Sequence, residues 1–375
     1  MKGIVYMISS AVDFLLENAD APIRYRVFRE LLEDAKAAKA MESELLDCAA
    51  VGLWLRNLTP ETPPQHWSME HGSFDFCLEN ALLKTVQLGL QSELPQLTGA
   101  VSYYANKLEA DTPAEGYRNN TGFRLGSANL GFYSIIIANC LTLAGIKNET
   151  VRNYMTGGLD ELNDFVSKRD YDIYVNGEER NELKSVPAIW KDKKFIKRGI
   201  TDEYGFCYPL IYDIVGFYGL YGTLDAKTDK KIDAVVDYIS TDEFHDKISD
   251  GYGILISGDK KYHAMGWDPK YPGWYDAAGY MENGNAAKLL FFAQYIVKFP
   301  IARKTKWFED LLAYLERYKT AGDTYVFPAG WLKETRGYAV QGSHISFGEN
   351  RKKKNWREIE STFYMQMLKN VIIRI

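Results

Sequence analysis

Nothing in this sequence builds a disulfide framework or a zinc ribbon. The four cysteines, Cys48, Cys77, Cys140 and Cys207, stand far apart and form no CxxC pair. That usage suits buried thiols in a reducing cytosol. Long hydrophobic runs are also missing: no stretch approaches ~20 uninterrupted apolar residues, so no membrane span is expected. The opening, MKGIVYMISSAVDFLLENADAP, is interrupted by Asp13 and lacks a typical cleavage site, and it reads as a first helix rather than a signal peptide. No charge of one sign dominates, since 45 Lys and Arg face 50 Asp and Glu for a net charge of −5. A balance of that kind gives no global pull toward nucleic acid or acidic lipid. The sequence therefore predicts a cytoplasmic protein. Nucleotide and hydrolase signatures are absent as well: there is no GxxxxGK[ST], GxSxG or HExxH, and Gly251-Tyr252-Gly253 lacks dinucleotide-loop spacing. No cofactor and no metal are expected.

What is present is a large, aromatic, helical chain. Hydrophobic residues make up 46% and charged residues 25% of 375 positions, values of a folded chain able to bury its own core. Aromatics reach 14%, with 26 Tyr, 18 Phe and 8 Trp. Rings with polar tips on that scale suit a lined cavity or a wet interface better than a dry core.

A loose unit recurs: an apolar helix, a break, then an amphipathic helix. The copies are LENALLKTVQLGL with PQLTGAVSYYANKLE, NLGFYSIIIANCLTLAGI with ETVRNYMTGGLDELNDFV, YPLIYDIVGFYGLYG with TDKKIDAVVDYIS, and AAKLLFFAQYIVKFP with TKWFEDLLAYLERY. Breaks fall at Gly89, Gly145, Gly222 and Phe299–Pro300, and Asn148 is placed to cap the second helix of its pair. Ile232, Val235, Val236 and Ile239 follow the i, i+3, i+4, i+7 rule of one buried face, and Trp307, Phe308, Leu311, Leu312 and Leu315 make a similar stripe. Inner helices apolar all round, alternating with outer helices wetted on one side, are what an α/α toroid requires. The fold expected is thus all-α, a single α/α toroid domain over 1–375, with an irregular bundle as the alternative. Near the start, Arg24, Arg26 and Arg29 alternate with Tyr25, Val27 and Phe28, and a solvated outer face explains them.

Long aromatic loops join the pairs, and loops of this length inside a compact domain are usually functional. Four of the five histidines lie in them: His66 and His71 in the first, His263 in the third, His344 in the last. The stretch from Lys261 to Pro269 joins His263 to two rings, Tyr262 and Trp267, and to the carboxylate of Asp268. The stretch from Gly342 to Arg351 joins His344 to Glu349 and Arg351. Histidine near neutral pH suits proton transfer, with Glu349 or Asp268 orienting it. Arg351 would stabilise negative charge, while His71, Tyr262, Trp267 and Trp331 would hold a ring face of the ligand. Each has a structural alternative: polar loop histidines, a turn plugged by Trp267, an ion pair of Glu349 with Arg351 joining first and last helices.

The stretches DAPIRYRVFRELL, YPLIYDIVGFYGLY, GYGILISGDKKYHAMGWDPKYPGW and SHISFGENRKKKNWREIESTFYM resemble uncharacterised bacterial proteins grouped with the terpenoid cyclase and protein prenyltransferase toroids. The resemblance implies two layers of helices around a central, often aromatic, pocket, and no particular chemistry. The catalytic signatures of the characterised enzymes are missing. Asp170-Tyr171-Asp172-Ile173 lacks the last two acids of DxDD, DDxxD does not occur, and Cys207 and His263 with Asp202 or Asp213 do not match the zinc motif. Two functions remain open. One is binding or transformation of an isoprenoid-like or sugar-like small molecule by His/Glu acid–base chemistry. The other is a non-catalytic helical scaffold for a peptide or protein partner. A carbohydrate-active α/α barrel would need paired carboxylates, for which no diagnostic spacing exists.

Overall fold

Apolar stripes at helical spacing become helices throughout a computed structural model of the chain, which describes residues 10–58, 71–73, 75–111, 130–197, 200, 208–256 and 262–373. The described residues begin with α1 (Ser10–Asn18) and α2 (Ala21–Arg26), which continues through a π turn (Val27–Leu31) toward α3 (Ala35–Asp47) and α4 (Ala49–Arg56). Then come α5 (Leu78–Gln87) with α6 (Pro95–Asp111), and α7 (Leu130–Leu143) with α8 (Glu149–Ser167). After the short α9 (Gly177–Asn181) stand α10 (Ile211–Leu220), α11 (Ala226–Ile239) and α12 (Asp242–Lys247). The rest is α13 (Ala277–Tyr280), α14 (Ala286–Ile296), α15 (Pro300–Arg303), α16 (Lys306–Leu315) and α17 (Trp356–Ile373). The protein is mainly helical, as the periodicity predicts.

The breaks between paired helices fall where glycine or proline puts them. Gly89, Gly145 and Gly222 follow α5, α7 and α10 at φ of +107°, +73° and +79°, a left-handed conformation that ends a helix at little cost only for glycine. Pro300 opens α15 at its first turn. Asn148 caps α8 by accepting from the Val151 amide at 3.1 Å, and Asp225 caps α11 from Thr228 at 2.7 Å. The amphipathic helices bury the predicted faces: Ile232, Val235, Val236 and Ile239 of α11, and Trp307, Phe308, Leu311 and Leu315 of α16, whose Leu312 is half-buried.

The apolar helices α5, α7, α10, α14 and α17 pack in succession, each on the next, and α1 and the π turn pack on α17. Arg26 at the end of α2 donates to the Gln87 carbonyl at the end of α5 at 2.9 Å, so the N-terminal segment touches both the last and the first of these helices. Outside them α6 packs on α8, α8 on α11, and α11 on α15. The tightest pair is α7 with α10. A Cβ added at Gly219 would lie 2.4 Å from the Thr142 carbonyl oxygen, so only glycine permits this approach.

Two features depart from the sequence reading. Arg26 is 8% exposed instead of solvated; its guanidinium lies 5.0 Å from the Phe363 ring centroid and pairs with Glu30 at 2.8 Å. A buried guanidinium is tolerated when ring faces and a carboxylate replace water. The third long loop also holds a two-stranded antiparallel sheet, β1 (Ile254–Ile256) and β2 (Tyr262–Ala264), with Leu255 opposite His263. Gly253, at φ +100°, passes so close to Lys194 that a Cβ would lie 2.4 Å from its carbonyl oxygen.

Candidate functional site

All ten residues of α5 are buried, although four of them are Glu79, Asn80, Lys84 and Gln87. Polar groups in that position need partners, because an unpaired buried one costs several kcal/mol, roughly 2–7. Asn80 donates to the Gly337 carbonyl at 2.9 Å and accepts from the Ala339 amide at 2.8 Å. Lys84 donates to the carbonyls of His344 (2.8 Å) and Ser346 (2.5 Å) and lies 3.2 Å from Glu334. Gln87 donates to the Ile345 carbonyl at 2.6 Å. One face of α5 is therefore stitched to the last long loop.

Glu79 is different: its partners are titratable side chains. His71, in the segment before α5, places Nδ1 3.0 Å from Glu79 Oε2. Tyr212, the second residue of α10, donates its hydroxyl to the same oxygen and lies 3.1 Å from His71 Nδ1. The Gly72 amide donates to Glu79 Oε1 at 3.3 Å. An ionised carboxylate only accepts, so this geometry places the imidazole proton on Nδ1 and leaves the Nε2 lone pair outside the cluster. Glu79 also stands in the first turn of α5, where the helix dipole favours negative charge. Burial first, then the carboxylate, hold the Tyr212 phenol well above its ordinary pKa, so it remains a donor. The same two causes push up the Cys77 thiol beside Glu79, which keeps it protonated and a poor nucleophile.

Rings enclose His71 on several sides. Phe132 of α7 and Trp267 meet it edge to face with centroids at 5.2 Å, and Tyr338 lies tilted at 5.1 Å. Phe132 and Trp267 also pack on each other at 4.1 Å. His71, Trp267 and Tyr338, with Met265, Val340 and Gln341, line a cavity of about 300 Å³. The described wall holds no Lys or Arg. A base poised by a buried carboxylate, opening on a small aromatic cavity, can accept a proton from a ligand hydroxyl or carbon acid and return it.

Of the nine residues singled out in the sequence, the structure brings His71 and Trp267 together at this cavity. Tyr262 lies two residues before the lining Ala264, but its hydroxyl donates to the Lys184 carbonyl at 2.6 Å and its ring meets Phe195 at 5.6 Å. His263, half-buried on β2, is also not among the lining residues. Asp268 secures the turn behind, accepting from the Gly251 amide at 2.5 Å and from Lys270 at 3.2 Å. Burial raises its pKa from the usual aspartate value.

His344 forms a separate centre. It is 5% exposed at φ +59°, edge-on to Trp54 at 4.9 Å, with Asp75 at 3.7 Å and Glu334 at 3.8 Å on its two ring nitrogens. Glu349 and Arg351 do not serve it. Glu349 accepts from the Asp20 amide at 2.8 Å and pairs with Lys353 at 2.7 Å, which ties the C-terminal region to the start of the chain. Arg351 pairs with Glu360 at 2.7 Å and stacks on Trp356 at 3.9 Å. Trp331 packs among Tyr314, Tyr318 and Phe327. His66, Cys207 and Asp202 lie outside the described residues.

Glu79, Tyr212, Phe132 and Tyr338 are not singled out by the sequence reading. A signal for Glu79 exists: a carboxylate inside a helix read as apolar on all sides must be either paired or in use. Comparison of the chain with family models, with characterised proteins and with solved structures finds no match.

Proposed function

We propose that the chain is an α/α toroid of the terpenoid-cyclase and prenyltransferase-like kind, binding or transforming a small molecule where its inner helices begin. The succession from α5 through α7, α10 and α14 to α17, bridged by the N-terminal segment, supports the ring. The observation that carries the function is His71 held at 3.0 Å from the fully buried Glu79 at the edge of an aromatic cavity. In this reading His71 is the acid or base, Glu79 fixes its tautomer, and Tyr212 fixes Glu79. Trp267 and Tyr338 hold a ring face of the ligand. A wall without Lys or Arg among its described residues favours a neutral sugar-like or isoprenoid-like molecule over a diphosphate.

The test is a thermal-shift panel of neutral oligosaccharides, terpenes and isoprenoid diphosphates against wild type, His71→Ala and Glu79→Gln. A ligand at a hundredfold its Kd adds about 2.7 kcal/mol of stability. The expected result is stabilisation by a neutral ring-bearing class that both variants lose. Stabilisation that persists in both, or by diphosphates alone, contradicts the reading. No stabilisation by any class favours a scaffold for a protein partner.

A further inference from the structure

The opposite ends of the same helices enclose a second, larger cavity of about 920 Å³. Gln87 at the end of α5, Leu143 at the end of α7, Tyr218 of α10, Tyr295 of α14 and Leu368 of α17 all reach it. Helix C-termini present unspent carbonyls and partial negative charge, which arginines can satisfy. Three arginines do so here: Arg26 donates to Gln87, Arg29 to Gly89 at 2.7 Å, and Arg303 to Val297 and Lys298 at 3.0 and 3.1 Å.

The arginines are not equally spent. Arg26 and Arg29 share the carboxylate of Glu30. Arg303 uses only Nη1, on backbone carbonyls, and among the described residues no carboxylate pairs with it. Its Nε and Nη2 remain as the planar fork that matches a carboxylate or phosphate. Five cationic side chains line the cavity against three carboxylates, and one of those, Glu42, is taken by Lys39. Gln294 also lines the cavity, and its buried Nε2 has no hydrogen-bond partner among the described residues. Val86, Leu143, Val297 and Pro300 add apolar surface.

We propose that this cavity is a second ligand site, taking an organic anion whose carboxylate or phosphate head is held by Arg303 and Gln294 while its apolar body lies against the helix ends. The site is chemically unlike the His71 cavity and independent of it. The experiment is isothermal titration of the full chain with decanoate, decyl phosphate, inorganic phosphate and decanol, the last as the neutral control. Saturable binding of decanoate or decyl phosphate is expected, and which of the two binds tighter tells carboxylate from phosphate. Arg303→Gln should weaken it at least tenfold, as should raised salt, while His71→Ala leaves it unchanged. Decanol binding as tightly as the anions, binding that survives Arg303→Gln, or no binding by either anionic amphiphile overturns the proposal; inorganic phosphate alone binding overturns the role of the apolar wall. Should Arg303→Gln fail to fold, Gln294→Leu carries the same test, with a weakening of at least threefold expected and unchanged affinity counting against the site.

Discussion

The two ends of the apolar helices are built from opposite electrostatics. Where the helices begin, one buried carboxylate, Glu79, meets the His71 imidazole and the Tyr212 hydroxyl within a wall of rings. Where they end, arginines cap carbonyls, and guanidinium donors outnumber the carboxylates they can use. Each arrangement follows the helix dipole: acid at the amino ends, cations at the carboxyl ends. One set of helices packed in succession thus presents two distinct chemistries at its two ends. The difference also sets the pairing style. At the first end Glu79 and Asn80 of α5 are buried and hydrogen-bonded, whereas the second end keeps several of its ion pairs in contact with water.

The largest contrast expected lies between two lysines. Lys84→Met removes a buried cation and strands Glu334 and the His344 and Ser346 carbonyls. Breaking such a cluster should cost about 3–5 kcal/mol, read as a lower urea midpoint. Lys39→Met, at the larger cavity, loses an exposed pair with Glu42 and should leave the urea midpoint almost unchanged. Equal losses would break the comparison.

A smaller contrast is expected in the pH dependence of stability. Burial alone would raise Glu30, but Arg26 and Arg29 outweigh it and lower its pKa from 4.5 to about 2. A depressed carboxyl contributes stability above its unfolded value and loses it as pH falls from about 4.5 toward 2. Glu360, near the start of α17, goes the other way: burial pushes it up to about 7 against the pull of Arg351 and Lys84. Its contribution is complete below pH 4.5 and is lost as pH rises through about 7. Each effect is at most about 3 kcal/mol. Glu30→Gln should flatten the acid limb of a Tm–pH profile, and Glu360→Gln the fall between pH 5 and roughly 8. A variant that moves the other limb would show that the ends are not separable.

The helices were legible because burial has a period, and the glycine breaks because they need a left-handed backbone. The site was legible only in part. His71 and Trp267 stand out as rare or bulky residues in loops. Glu79, Asn80 and Lys84 sit inside an apolar segment, where a reading by periodicity treats polar residues as noise; burial on every side makes them the most informative positions in the helix. Arg26 was hidden for the reverse reason: alternation with Tyr25 and Val27 looks like a wet face, and only the packing of Phe363 from the far end of the chain makes it dry. His344 and Glu349 resemble a catalytic group because they are close in sequence, yet their side chains serve different contacts.

In the proposed site Glu79 fixes His71 with its proton on Nδ1 and its Nε2 lone pair available to the cavity. Nitrogen-15 NMR of histidine-labelled protein, assigned by comparison with His71→Ala, reads that tautomer directly. The expected result is the Nδ1–H form of His71 in the wild type and its loss or mixing with the Nε2–H form in Glu79→Gln. A wild-type His71 in the Nε2–H form, or a tautomer unaffected by Glu79→Gln, would contradict it.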